Sequence, residues 1–354
     1  MARHITQKDI AKKLGVSRVT VSKALSEDAD ISTEMKRKVR AAAAEAGYII
    51  HHGARSLQMR RTNTIGVVIP DISNSFFSRA IRGIIDKATA RGYHVILTVS
   101  DENAETEREN IHTLLSYRVD GLLVALSKDP DDWTIFDQAR KMDVPLVFFD
   151  RVPDSSEFST VAVDNRKAAQ KLVEFVISSG YDKIGHLAGS QTLAIGRNRM
   201  AGYLAALKKH GIPRRNDWII SGGFDRSSGY EGFLRLLQAR DRPDVIFAAN
   251  DRIAQGAYKA IKEVKLAIPD GIGVVAFGHS EFAELLQPKL TIIDCPPVAL
   301  GQQAVEILFS EIANPATKRR HRSLLKTTLE VGESLLVRKG QFAEAEVMRL
   351  SSNE

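Results

Sequence analysis

The chain holds one cysteine, Cys295, in 354 residues. A single thiol closes no intrachain disulfide, so the fold must rest on buried apolar side chains, and this usage fits a reducing compartment. No apolar run reaches the roughly 20 residues that span a bilayer. The start, Met1-Ala2-Arg3-His4, is polar and unlike a secretory signal. A cytoplasmic protein without a membrane partner is expected. Enzyme signatures are lacking too. No Gly-x-Gly-x-x-Gly opens a helix, and neither a phosphate-binding Gly-Lys-Ser/Thr loop nor a nucleophile elbow is found. The adjacent His51 and His52 have no third ligand nearby, so no metal, cofactor or catalytic residue is expected.

Net charge is also absent from most of the chain. Residues 63–354 carry 37 Lys and Arg against 37 Asp and Glu, whereas residues 1–62 carry 13 against 6, the whole excess of +7. A basic module on a neutral remainder is the pattern of a nucleic-acid-binding segment. Its periodicity predicts two short helices and a turn. Thr6 with Asp9 makes a capping box, Gly15 supplies the turn, and Ser17 caps the second helix. Ile10, Ala11, Leu14, Val16, Val21, Ala24 and Leu25 can close a small core, leaving Arg18, Val19, Ser22 and Lys23 outward. A short helix with such a face suits the DNA major groove. A third helix is predicted from Thr33 to Ala46, capped by Ser32 and stopped by Gly47, with a basic linker from Tyr48 to Arg61.

From Thr64 onward, near-continuous apolar strands alternate with amphipathic helices. One strand series is predicted at 65–69, 94–99, 121–126 and 146–149. A second is predicted at 184–188, 218–221, 245–249, 273–277 and 290–293. Such strands belong to parallel sheets covered on both faces. The count calls for two similar α/β subdomains, in which Asp120-Gly121-Leu122-Leu123-Val124-Ala125 and Asp244-Val245-Ile246-Phe247-Ala248-Ala249 correspond. Ligands of such sheets bind at the C-terminal strand ends, so two facing subdomains imply a cleft.

These features together resemble the LacI/GalR family of bacterial transcription regulators, from about Ile5 to Ser334. The resemblance is carried by Asp9-Ile10-Ala11, by Val16-Ser17-Arg18-Val19-Thr20-Val21-Ser22-Lys23-Ala24-Leu25, by Gly47-Tyr48 with Leu57, and by Ile65 to Asp71. Further landmarks are Arg199-Met200-Ala201-Gly202-Tyr203, Ala249-Asn250-Asp251 and Pro288-Lys289-Leu290-Thr291-Ile292. It implies an all-α helix-turn-helix headpiece (1–50), a hinge (51–62), a two-lobed α/β core resembling type I periplasmic binding proteins (63–334), and a C-terminal tail (335–354). It also implies a homodimer on a pseudo-palindromic double-stranded DNA operator, and a small-molecule effector, a sugar or sugar derivative, that controls operator affinity. A repressor is expected. A free-standing solute-binding protein would share the core but not the basic headpiece.

The resemblance also locates sites. DNA contacts are expected from Thr6, Ser17, Arg18, Val19, Thr20, Ser22, Lys23, Ser32, Tyr48, Ala54 and Leu57. Arg18 can fork to guanine, Val19 can meet a thymine methyl, and Leu57 can wedge into the minor groove. The hydroxyls fit helix caps as well as phosphate contacts. The hinge departs from the family pattern, with Ile50 and His51 where Pro-Asn is common and Gly53 early in the hinge helix. Effector contacts are expected from Phe76, Phe77, Asp150, Arg199, Phe224, Asn250 and His279, with one of the two adjacent phenylalanines packing in the core. Asp164 and Asp251 fit either ligand contacts or helix caps. Gly278 stands where sugar-responsive members often place an Asp, which leaves room for an anionic sugar paired by Arg199 and His279.

Overall fold

The computed structural model describes residues 5–48, 61–154, 157–315 and 320–337. The hinge expectations, Ala54 and Leu57 among them, lie outside the described residues. The chain divides into two compact units, Met1–Thr62 and Asn63–Glu354.

The first unit is a three-helix module. Helix α1 (Gln7–Leu14) starts at the Thr6 capping box and ends at Gly15, whose φ of 66° lies in the left-handed region open to glycine. Helix α2 (Arg18–Leu25) is capped by Ser17, and α3 (Thr33–Glu45) by Ser32. Ile10, Ala11, Val21, Ala24, Leu25, Val39, Ala42 and Ala43 form its core, and Leu14, Val16, Met35 and Tyr48 pack around it. Each helix is too short to stand alone in water, so this shared core holds all three.

The second unit has two lobes. The chain builds β1 (Thr64–Ile69), α4 (Ser75–Ala90), β2 (His94–Val99), α5 (Ala104–Ser116), β3 (Gly121–Val124), α6 (Thr134–Lys141), β4 (Leu146–Phe149) and β5 (Ser159–Val163). It then crosses to α7 (Asn165–Ser178), β6 (Ile184–Gly189), α8 (Ala194–Lys209), a 3-10 turn (Asn216–Trp218), β7 (Ile219–Ser221), α9 (Arg226–Leu236), β8 (Val245–Ala248), α10 (Asp251–Glu263), β9 (Gly273–Gly278), α11 (Ser280–Ala283) and β10 (Thr291–Asp294). Helix α12 (Pro297–Ala313) and β11 (Arg322–Leu325) return to the first lobe, and β12 (Thr328–Glu330) ends in the second.

The sheets run β11-β5-β4-β3-β1-β2 and β12-β10-β9-β8-β6-β7. Every neighbouring pair is parallel except β10 with β12. Strands β3 and β8 hold the same place in the two orders, as the matched Asp-led segments predict. Three crossovers, at 163–165, 294–297 and 325–328, join the lobes.

The structure differs from the sequence reading in several places. Strand β5, helix α12 and strands β11 and β12 were not expected; the last two are short, and their pairing with distant strands creates them. Trp218 belongs to the 3-10 turn rather than to β7. Helix α8 begins at Ala194, so Arg199 lies inside it. Leu335, first residue of the expected tail, is buried in the second lobe. Among the described residues no helix is long and apolar enough to cross a membrane.

Candidate functional site

On the headpiece, α2 presents Arg18 and Val19 to solvent, and Val19 is 60% exposed. That is far from the burial an apolar side chain gains in a core, so Val19 is free to meet an apolar group on a partner. Ser22 is half-buried. The Ser17 Oγ accepts from the Thr20 backbone N–H at 3.0 Å and lies 2.9 Å from the Thr20 hydroxyl. Thr6 and Ser32 likewise cap their helices, through Asp9 and the Met35 N–H. Lys23 differs from the others. Its Nζ sits 2.5 Å from Asp30 and 3.7 Å from Asp28, and Asp30 raises its pKa by hydrogen bonding. Tyr48 packs against the headpiece core.

In the second unit, six of the seven expected effector residues line one cavity between the lobes: Phe76, Phe77, Asp150, Arg199, Phe224 and Asn250. Its volume is about 50 Å³, several times the space one water needs. Phe77 is buried and meets Phe76 edge to face at 5.7 Å, so Phe77 takes the packing role and Phe76 is the more open ring. His279 is off the wall. Its Nε2 lies 3.0 Å from the Ser75 hydroxyl across the lobes, and burial lowers its pKa.

Arg199 is buried at the cavity floor. Its Nε donates to Asn165 Oδ1 at 2.9 Å, Nη1 donates to the Ala249 carbonyl, and the guanidinium lies 3.9 Å over the Phe277 ring. Three fixed contacts hold a planar cation whose Nη2 edge has no hydrogen bond among the described residues. Asp150 follows β4 in the left-handed region at φ 57°, an unfavourable conformation for a residue with a Cβ and one that recurs at functional sites. Its carboxylate makes no hydrogen bond among the described residues. Burial pushes its pKa up, against the attraction of Arg199 and Arg151.

Asn250, not Asp251, caps α10. Its Oδ1 accepts from the Ile253 N–H at 2.8 Å and its Nδ2 donates to the Phe224 carbonyl at 2.9 Å. Asp251 is instead a buried carboxylate on the wall, pushed up to about 6 by burial despite the Arg252 backbone N–H. Asp164 does serve as a cap, accepting from the Lys167 N–H at 2.9 Å. Cys295 also lines the cavity, and burial pushes its thiol up to about 12, so it stays neutral.

Asn74, Arg151, Ile195, Phe277 and Cys295 line the cavity without having been expected there, and Arg151 is the charged one among them. Arg151 is buried, holds Glu102 through both terminal nitrogens, and lies 5.5 Å from the Phe77 ring and 5.2 Å from the Phe224 ring. It therefore touches an aromatic side chain from each lobe. The signal available was its position beside Asp150 at a strand's C-terminal end.

A basic three-helix module joined to two parallel-sheet lobes around a polar cavity has clear counterparts. The model for bacterial regulatory proteins of the lacI family matches residues 6–50. The model for periplasmic binding proteins and the sugar binding domain of the LacI family matches residues 62–331. The chain belongs to the LacI family. It is a DNA-binding transcriptional regulator with a periplasmic-binding-protein-like core. It is 30% identical to the ribose operon repressor of Escherichia coli K12, over 93% of this chain and 99% of that one. It is 31% identical to the transcriptional repressor PurR of Photobacterium profundum, over 94% and 98%. The structure of the lac repressor dimer bound to operator and the anti-inducer ONPF overlays with a TM-score of 0.83 at 27% identity, covering 94% of this chain and all of that one. The transcriptional regulator CelR in complex with cellobiose overlays with a TM-score of 0.70 at 26% identity, with the same coverage.

Proposed function

We propose that this regulator is a cytoplasmic repressor without enzymatic activity that binds a pseudo-palindromic operator as a homodimer. Residues 1–50 form the headpiece, 51–62 the hinge, and 63–335 the effector-binding and dimerisation core, extended by one residue to take in the buried Leu335, with the tail after it. A sugar or sugar derivative in the cleft sets operator affinity. The carrying observation is the pair formed by the Asp150 carboxylate and the Nη2 edge of Arg199, neither hydrogen-bonded among the described residues, enclosed by Phe76 and Phe224 from opposite lobes. A carboxylate and a planar cation side by side accept from and donate to vicinal hydroxyls, and the rings cover the apolar face of a sugar.

A second carboxylate, Asp251, faces the same space. Arg199 therefore has two acidic neighbours, which favours a neutral polyhydroxy ligand over a sugar acid or phosphate at the cavity floor. One relative, named a ribose operon repressor, supports a sugar, while another is named PurR.

The test uses the full-length protein and operators selected from a random duplex library. The selected site should be a pseudo-palindrome whose affinity falls steeply with salt. Addition of the correct sugar should shift that affinity, and the Arg199→Met variant should lose the shift while keeping DNA binding. Sequence-specific binding by residues 63–354 alone would overturn the headpiece assignment.

A further inference from the structure

Asp150 belongs to the walls of more than the cleft cavity. Asp150 and Ile195 also line a second cavity of about 300 Å³. This larger space lies beside the first crossover and is built by both lobes. The first lobe supplies β5 and β11, whose parallel register sets Arg322 beside Thr160 and Leu324 beside Ala162. The strand period of two puts Arg322 and Leu324 on one face. The second lobe supplies Ala194, Ile195 and Asn198 from α8.

The floor is buried and mostly apolar, with Thr160 and Asn165 as its buried polar members, Asn165 already engaged by Arg199, while Asp164, Arg166, Arg322 and Leu324 form an exposed rim. The polar groups there are available. Neither Arg166 nor Arg322 has an acidic or hydrogen-bonding partner among the described residues, and the Thr160 hydroxyl has none either. Asp154, at the same rim, is already held by Arg197 at 2.6 Å and Asn198 at 3.0 Å. Leu324 is 63% exposed beside two arginines, an apolar surface with charged donors around it.

Building on the cleft reading above, we propose that the effector is larger than a single sugar ring. Its inner unit occupies the cavity of Asp150 and Arg199, and a second, glycosidically linked unit occupies this outer cavity. Asp150, shared by both spaces, receives hydroxyls near the linkage. Arg166, Arg322 and Thr160 hydrogen-bond the outer unit, and Leu324 with Ile195 covers its apolar face. The mixture of carboxylates and guanidinium groups matches a neutral second sugar better than a charged substituent. Because the outer cavity spans both lobes, the second unit adds to the free energy that selects one lobe arrangement.

The experiment is calorimetry on the full-length protein with matched pairs: glucose with cellobiose and maltose, galactose with lactose and melibiose, xylose with xylobiose. In the pair that binds, the disaccharide should be about tenfold or more tighter than the monosaccharide, the range expected for added hydrogen bonds to charged groups. Arg322→Ala should narrow that ratio several-fold. Thr160→Val, which conserves shape, should narrow it less, and thermal melts of both variants guard against unfolding. Monosaccharide binding as tight as that of its disaccharides, with a ratio unmoved by Arg322→Ala, would overturn the outer subsite and leave the cleft reading standing. No binding by any pair would overturn the cleft reading and the outer subsite together.

Discussion

Asn165 Oδ1 accepts a hydrogen bond from Arg199 Nε at 2.9 Å, and both side chains are buried. Asn165 is the first residue of α7, directly after the crossover from β5, and its Nδ2 also reaches the Val163 carbonyl at 3.3 Å. The crossover backbone, the amide and the cavity's cation thus form one connected chain. A change of backbone direction at this crossover must move or strain Arg199.

Asn165→Ala removes the acceptor and leaves a buried guanidinium N–H unpaired. The expected cost is about 1–3 kcal/mol of stability, with a further loss of effector affinity of about tenfold or more. Urea denaturation and calorimetry measure the two effects separately. Unchanged effector affinity would show that Arg199 is positioned by Ala249 and Phe277 alone.

Asp251 predicts a pH dependence. Its native pKa of about 6 exceeds the ordinary 3.8 because the carboxylate is buried. The native state therefore holds this proton more tightly than the unfolded chain. The group's favourable contribution is complete below the unfolded value, near pH 4, and is lost as pH rises through about 6. Asp251→Asn removes the charge and keeps an acceptor for the Arg252 N–H. It should be more stable than the parent by about 3 kcal/mol at pH near 8 and nearly equal to it near pH 4. A stability difference independent of pH would mean that Asp251 is not protonated over this range.

How far the sequence foretold these features depends on the range of the interactions involved. The Thr6–Asp9 box and the Ser17 and Ser32 caps are set by residues three apart, so local pattern sufficed. Asp150, Arg199 and Phe224 were located by the resemblance, and the lobes bring them together. Asn250 and Asp251 are both good caps, and only the backbone decides which one turns into the helix. Arg151 escaped because its role needs Glu102, Phe77 and Phe224, which lie far apart in the chain. The outer cavity was also invisible, since Arg322 reaches Thr160 only through a strand pairing across more than half the core.

The headpiece offers a paired test. Arg18 has no acidic partner among the described residues, whereas Lys23 is held by Asp30. Arg18→Ala should relax base preference by about 1–3 kcal/mol at one position in each half-site. Asp30→Asn should release Lys23 toward phosphate, strengthen binding to all sequences alike, and steepen the salt dependence by about one ion per headpiece. Anisotropy titrations at several salt concentrations on matched and mismatched duplexes distinguish the two. Equal loss on every sequence in Arg18→Ala would assign Arg18 to the backbone, not to a base.

The last prediction concerns closure of the cleft. On one rim Arg252 of α10 pairs with Asp71 of the first lobe and lies 3.3 Å from Ser73, and Arg79 pairs with Glu281. On another, Arg197 of α8 bridges Asp129 at 2.5 Å and Asp154 at 2.6 Å. These pairs are partly exposed, so each contributes less than about 1 kcal/mol and weakens as salt rises. A single break should therefore shift the balance of lobe arrangements a few-fold rather than abolish closure. Arg252→Met and Arg197→Met should each lower effector affinity about two- to fivefold, and nearly independent rims predict additive effects in the double variant. Affinity should fall with salt in the parent and less steeply in the double variant, which keeps only the Arg79–Glu281 pair of these rim contacts, while small-angle scattering shows a larger unliganded core. Because coupling between effector and operator is reciprocal, the same variants must change how strongly operator DNA alters effector affinity. If salt weakens effector binding equally in the parent and the double variant, these ion pairs do not control the cleft.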